Sequence, residues 1–209
     1  MFHFVTNGVY RFCEWVTRLA YLNLLWIAFS LAGLVIFGLM PSTIAMYTVT
    51  RKWVTEDPDI PLFKTFFEAY KKEFKKANLF GLILFGTSAL FYVNFRILAL
   101  INAEVSIITM IFLSLLAVFG VLLLLVFPVY VHYDIRMLQT FKYALLIGLS
   151  RPLNSIAMIA GAIGVVYLIL LHVTLIIFFS GSLFSLIMTA LAVKAFKSIE
   201  QSYEKRQAA

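Results

Sequence analysis

Few side chains inside the long apolar runs of this 209-residue chain can take part in chemistry. His172 stands in a stretch from Leu153 to Val193 that holds no other basic or acidic residue. An ionisable side chain at membrane depth is a functional candidate by default. His172 has no acid or second histidine near it in sequence, so a buried neutral histidine bonded to a backbone carbonyl is the expected reading. Asn23 and Asn94 are polar enough for hydrogen bonds between helices, each worth roughly 1 kcal/mol in lipid. No pair of Asp residues lies in the apolar runs, and there is no His-Glu-x-x-His pattern and no glycine loop for phosphate. Ser180-Gly181-Ser182 reads as a turn, because no strand precedes it as a nucleophile elbow requires. Cys13 is the single cysteine, which excludes an internal disulfide and a cysteine metal cluster. The expectation is a protein that is not an enzyme, with no cofactor and no metal site.

Charge gathers instead in "PLFKTFFEAYKKEFKKANLFG", Pro61 to Gly81. On a helical wheel Leu62, Phe63, Phe66, Phe67, Tyr70, Phe74 and Ala77 fall within an arc of about 140°. Lys64, Glu68, Lys71, Lys72, Lys75 and Lys76 take the other side, and only Glu73 sits near the apolar arc. Phosphate contacts would explain the lysines but not the aromatic face, so nucleic acid is not the expected partner. The pattern predicts a helix at 62–76 lying on a membrane, its Phe face in the acyl boundary and its lysines at anionic headgroups. A second polar stretch, "HYDIR", holds Asp134 and Arg136, which could dock a partner on the same side.

The elements that carry these residues follow from composition. The chain is 63% hydrophobic and only 13% charged, against roughly 25% charged in a soluble domain. A spanning helix needs about 20 apolar residues. Five such stretches are readable in one membrane domain, residues 1–209: 19–40, 77–95, 105–131, 154–179 and 183–196. The predicted class is all-α and polytopic, with one or two amphipathic interfacial helices, the second over 137–149. Gly38 with Pro41, and Pro128, are expected helix breaks. Residues 42–54 either continue the first helix or bend along the membrane. With the lysine-rich helix inside, fourteen Lys and Arg residues face the cytoplasm and only Arg11, Arg18 and Arg96 lie outside. Positive residues mark the cytoplasmic side, so the N-terminus is expected outside and the C-terminus inside. Small pairs, Ala157 with Gly161 and Ala160 with Gly164, suit close helix packing or a homo-oligomer.

The stretch "RLAYLNLLWIAFSLAGLVIFGLMPSTIAMYTVTRKWV", Arg18 to Val54, resembles the opening of the bacterial YesL family. The likeness rests on the Trp15-to-Arg18 lead-in, Asn-Leu-Leu-Trp at 23–26, the Gly38-x-x-Pro41 spacing and the Arg51-Lys52 exit. The Phe-rich basic helix and "FPVYVHYDIRMLQTFKYALLIGLSRP", Phe127 to Pro152, fit the later pattern. The resemblance implies a small integral protein of the bacterial cytoplasmic membrane with no established catalytic residues. It further implies an accessory role in sugar import beside ABC permease subunits, through the gene company the family keeps. The other function class is a small stand-alone transporter or channel for a sugar or other solute, for which the proline-interrupted spans speak.

Overall fold

The computed structural model describes residues 2–100, 107–133 and 135–207. Its described residues form seven helices: α1 (Phe2–Ala32), α2 (Ile36–Thr55), α3 (Leu62–Leu100), α4 (Ile107–Tyr133), α5 (Met137–Ser150), α6 (Pro152–Leu171) and α7 (Val173–Gln207). Five of them are long and apolar enough to cross a membrane: α1 from Gly8, α3, α4, α6, and α7 to Gln201.

The first apolar run does not continue to Met40. It reverses at Gly33-Leu34-Val35, and α2 returns along α1. The Val35 N–H donates to the Ser30 carbonyl and the Leu34 N–H to the Leu31 carbonyl. This is the Schellman arrangement that ends a helix, in which the residue after the cap takes a left-handed conformation and is usually glycine. Here it is Leu34, with φ 58°. Gly33 and Gly38 let the two limbs meet: a Cβ on Gly33 would lie 2.3 Å from the Gly38 Cα. Pro41 and Pro128 therefore break nothing. Both lie buried inside helices, α2 and α4, and the reversal lies at Gly33-Leu34-Val35. Since the left-handed conformation costs a residue with a Cβ roughly 1–2 kcal/mol, Leu34→Gly is expected to raise the midpoint of thermal unfolding in detergent. The Leu34 side chain is 78% exposed, so little packing is lost with it.

α2 is the most enclosed helix, although it carries Ser, Thr, Arg and Lys. Its threonines bond back to the carbonyls of preceding residues, Thr43 to Leu39, Thr48 to Ile44 and Thr50 to Tyr47. A hydroxyl satisfied within its own helix can be buried without an unpaired donor. α2 packs on α1, α3, α4 and α7, with Ile44, Ala45, Met46 and Val49 in the core.

The hairpin decides which ends share a face. Trp15 of α1 stands edge-on to Trp53 of α2, ring centres 5.5 Å apart. Arg18 forms ion pairs with Glu14 and with Asp59 of the α2–α3 loop. The start of α1 and that loop were expected on opposite sides of one span, and they lie together because α2 brings the chain back. α7 ends at the same face: Phe196 packs on His132 and Tyr133 at the end of α4, and Arg151 donates to the Ser198 carbonyl.

The last reversal is also displaced from expectation. The pattern puts it at Ser180-Gly181-Ser182, but α6 and α7 meet at His172, whose backbone is extended. His172 is exposed rather than buried in a span. Gly181 instead lies within α7, where an added Cβ would come within 3.1–3.2 Å of Met46 and Asn23. The small residue serves contact with α1 and α2, not a turn. Gly161 likewise meets Ile187 and Leu191 of α7.

Candidate functional site

The lysine-rich stretch forms the first four turns of α3 and runs into the membrane-crossing part without interruption. Lys64, Lys71, Lys72, Lys75 and Lys76 are all exposed, as expected of the charged face. The aromatic face packs on the protein at its centre. Phe66 is completely buried. Phe29 of α1 stands at its centre, with ring centres 6.3 Å from Phe63, 5.3 Å from Phe66, 5.9 Å from Phe67 and 5.0 Å from Tyr70. The Tyr70 hydroxyl donates to the Phe29 carbonyl, and Phe74 packs edge-on to Tyr70. Phe63 and Phe67 keep about half of their surface open. Aromatic pairs at these separations add roughly 0.5–1.5 kcal/mol each beyond area burial. The α1–α2 hairpin thus covers the centre of the aromatic face, with the lysines outward.

Glu73, the one acid near the apolar arc, is buried and accepts a 2.7 Å hydrogen bond from the Tyr130 hydroxyl of α4. Its other oxygen lies 3.9 Å from the Lys72 amine. A buried carboxylate needs such partners to offset desolvation. This contact between the basic helix and the end of α4 was missed in the sequence, where an acid inside an apolar arc was the available signal. Arg136 is exposed at the N-cap of α5. Asp134 lies outside the described residues.

Deeper in the bundle, polar groups are used for structure. The Asn23 amide donates to the Ile177 carbonyl at 2.6 Å, and its oxygen accepts from the N–H groups of Gly181 and Ser182 at 2.9 and 3.0 Å. In a regular α-helix the Gly181 N–H would bond to the Ile177 carbonyl. Asn23 bonds to both of these groups and so ties α1 to the backbone of α7. Nearby, the Thr50 and Thr189 hydroxyls are 3.2 Å apart and share a hydrogen bond between α2 and α7. Asn94, by contrast, is exposed and among the described residues bonds to the Leu90 carbonyl of its own helix, whereas Asn23 joins two helices. No group of three His, Cys, Asp or Glu residues that could hold a metal ion occurs among the described residues.

Comparison with known proteins places this architecture. A family described as "Protein of unknown function, DUF624" matches residues 19–95, the stretch from α1 through the hairpin and most of α3. The "Uncharacterized protein YesL" of Bacillus subtilis (strain 168) is 46% identical over the whole of this chain and 99% of its own length. From the same organism, "Uncharacterized protein YesV" is 36% identical over 96% of this chain and 97% of its own. "Uncharacterized protein YteU" is 34% identical over 84% of this chain and 79% of its own. No solved structure matches the chain.

Proposed function

The chain belongs to the YesL family, and on that premise we propose that it is a non-enzymatic accessory protein of a bacterial cytoplasmic membrane, working beside the permease subunits of an ABC importer for oligosaccharides. The observation that carries this reading is the presentation of the basic face. Five lysines of α3 are exposed while the hairpin occupies the opposite side of the helix. Such a surface is held in place for something outside this chain, whether anionic headgroups or an acidic region of a partner. The importer as partner is supported by the family resemblance. The absence of catalytic constellations in the sequence supports the non-enzymatic reading.

Orientation follows from charge. With α1 and α2 as a hairpin, all the Lys and Arg residues except Arg96 belong to one face or to segments that end there. Positive residues favour the cytoplasm, so both termini are assigned to that side. The N-terminus is thereby moved from the outside, where a single first span would have put it. Small residues of α6 left open, Gly164 among them, offer a surface for a second copy.

Asn23, Thr50 and Thr189 are engaged in fixed hydrogen bonds, which speaks against their lining an independent solute path. The test is purification from the native host in mild detergent. Permease subunits recovered in stoichiometric amount are expected. A homo-oligomer without them, which moves a labelled oligosaccharide into liposomes, would sink the proposal and establish the transporter reading.

A further inference from the structure

A cleft of about 320 Å³ opens where α3, the end of α4 and the start of α5 meet. Lys76, Leu79, Tyr130, Ile135, Arg136 and Met137 line it. We infer that it binds the phosphate headgroup of an anionic phospholipid, held between Lys76 and Arg136 with an acyl chain leading away along α3. The inference does not depend on the importer reading, because it concerns lipid chemistry at a site within this chain.

Charge comes first. Neither Lys76 nor Arg136 enters an ion pair among the described residues. Among the described residues the nearby acid, Glu73, is engaged by the Tyr130 hydroxyl and by Lys72, and the described lining of the cleft holds two basic side chains and no acidic one. Arg136 and Met137 are the N-cap and first residue of α5, which has no side-chain cap. The first-turn amides there add to the attraction for an anion. Guanidinium and ammonium together supply the directed donors that a phosphate diester requires.

Position decides between a lipid and a soluble phosphate. Lys76 is the last lysine of α3, and the residues beyond it on the same face are Leu79, Ile83, Gly86 and Leu90, spaced three or four apart as a helical stripe requires. Leu79 and Leu90 are 52% and 66% exposed, and Gly86 has open space around it. Headgroup-binding charge and an acyl-length apolar track are thus continuous. A soluble phosphate would gain nothing from Leu79, Ile135 or Met137. Basic pockets between helices at the cytoplasmic surface are the expected receptors of anionic headgroups.

The test compares three proteins in phosphatidylcholine nanodiscs containing a minor fraction of phosphatidylglycerol, with lipid retention after detergent extraction counted by native mass spectrometry. They are the wild type, Lys76→Gln with Arg136→Gln, and Lys64→Gln with Lys71→Gln. The last pair removes the same charge away from the cleft. Wild type and the distant pair are expected to retain one phosphatidylglycerol, and the cleft pair to hold it on the order of tenfold more weakly. Equal losses in both variants would mean diffuse attraction to the bilayer and would overturn the site. Displacement of the lipid by millimolar inorganic phosphate would overturn the lipid assignment. All exchanged side chains are exposed, and an unchanged elution volume of each variant confirms its fold.

Discussion

Gly38→Ala is expected to prevent the accumulation of folded protein. The added Cβ would fall 2.4 Å from the Ser30 carbonyl oxygen and 2.7 Å from that of Phe29. Both are backbone atoms of α1, and no side-chain rotation can clear them. α1 and α2 would have to separate where their limbs are closest, beside the Tyr70 hydroxyl, which bonds to the Phe29 carbonyl. Phe29 would then leave its place among Phe63, Phe66, Phe67 and Tyr70. Overpacking of a well-filled interior costs about 1–3 kcal/mol when side chains can shift, and a fixed backbone puts this case at or above the upper end. Yield of monodisperse protein after detergent extraction is the measurement. Gly86→Ala, where the added methyl meets nothing within 4 Å, is the control expected to behave as wild type. Wild-type yield and melting for Gly38→Ala would mean that the two helices are not packed as described.

Asn23→Leu is the second large effect. It keeps the side chain near its original volume and removes every hydrogen bond the amide makes. The Ile177 carbonyl and the N–H groups of Gly181 and Ser182 lose their partner together. An unsatisfied buried backbone group costs about 1–3 kcal/mol. The α7 backbone can satisfy part of these groups within its own helix, so the expected loss is about 2–4 kcal/mol in all. Thermal unfolding in detergent, followed by the loss of monodisperse protein, should shift clearly downward. A midpoint within error of wild type would show that Asn23 is dispensable to α7.

The extent to which the sequence discloses this architecture depends on how each element is stabilised. The five long apolar helices are legible because burial in lipid demands length and apolarity, and both are composition. α5 is legible for a similar reason, as an apolar segment with polar flanks. α2 is not, because its enclosure depends on threonines that bond to their own helix. Its reversal uses Leu34 where glycine would have been the readable signal. Pro41 looks like the breaker, yet the missing N–H of a proline is tolerated inside a helix that neighbours support on several sides. The start of α1 shares a face with the α2–α3 loop as a direct consequence of this returning helix, which the sequence pattern did not disclose.

Within the candidate site, the division into a lysine face and a phenylalanine face was visible from periodicity alone. What covers the phenylalanines was not. A lipid tail and Phe29 make equally apolar contacts, and periodicity carries no information about which one is present. Glu73 was visible as an exception to the pattern, but its partner Tyr130 is 57 residues away. The same limit applies to the cleft: Lys76 and Arg136 are 60 positions apart and line one cleft only because the end of α4 packs beside α3.

The shared face of the α1–α2 hairpin and the basic helix can be read directly with the native Cys13, which is exposed and is the chain's single cysteine. Intact cells are treated with a membrane-impermeant maleimide, first with the wild-type protein and then with Lys72→Cys in a Cys13→Ser background. Both positions should be protected in intact cells and labelled once the membrane is permeabilised. Labelling of Cys13 from outside, with position 72 still protected, would put the two on opposite sides and contradict the hairpin.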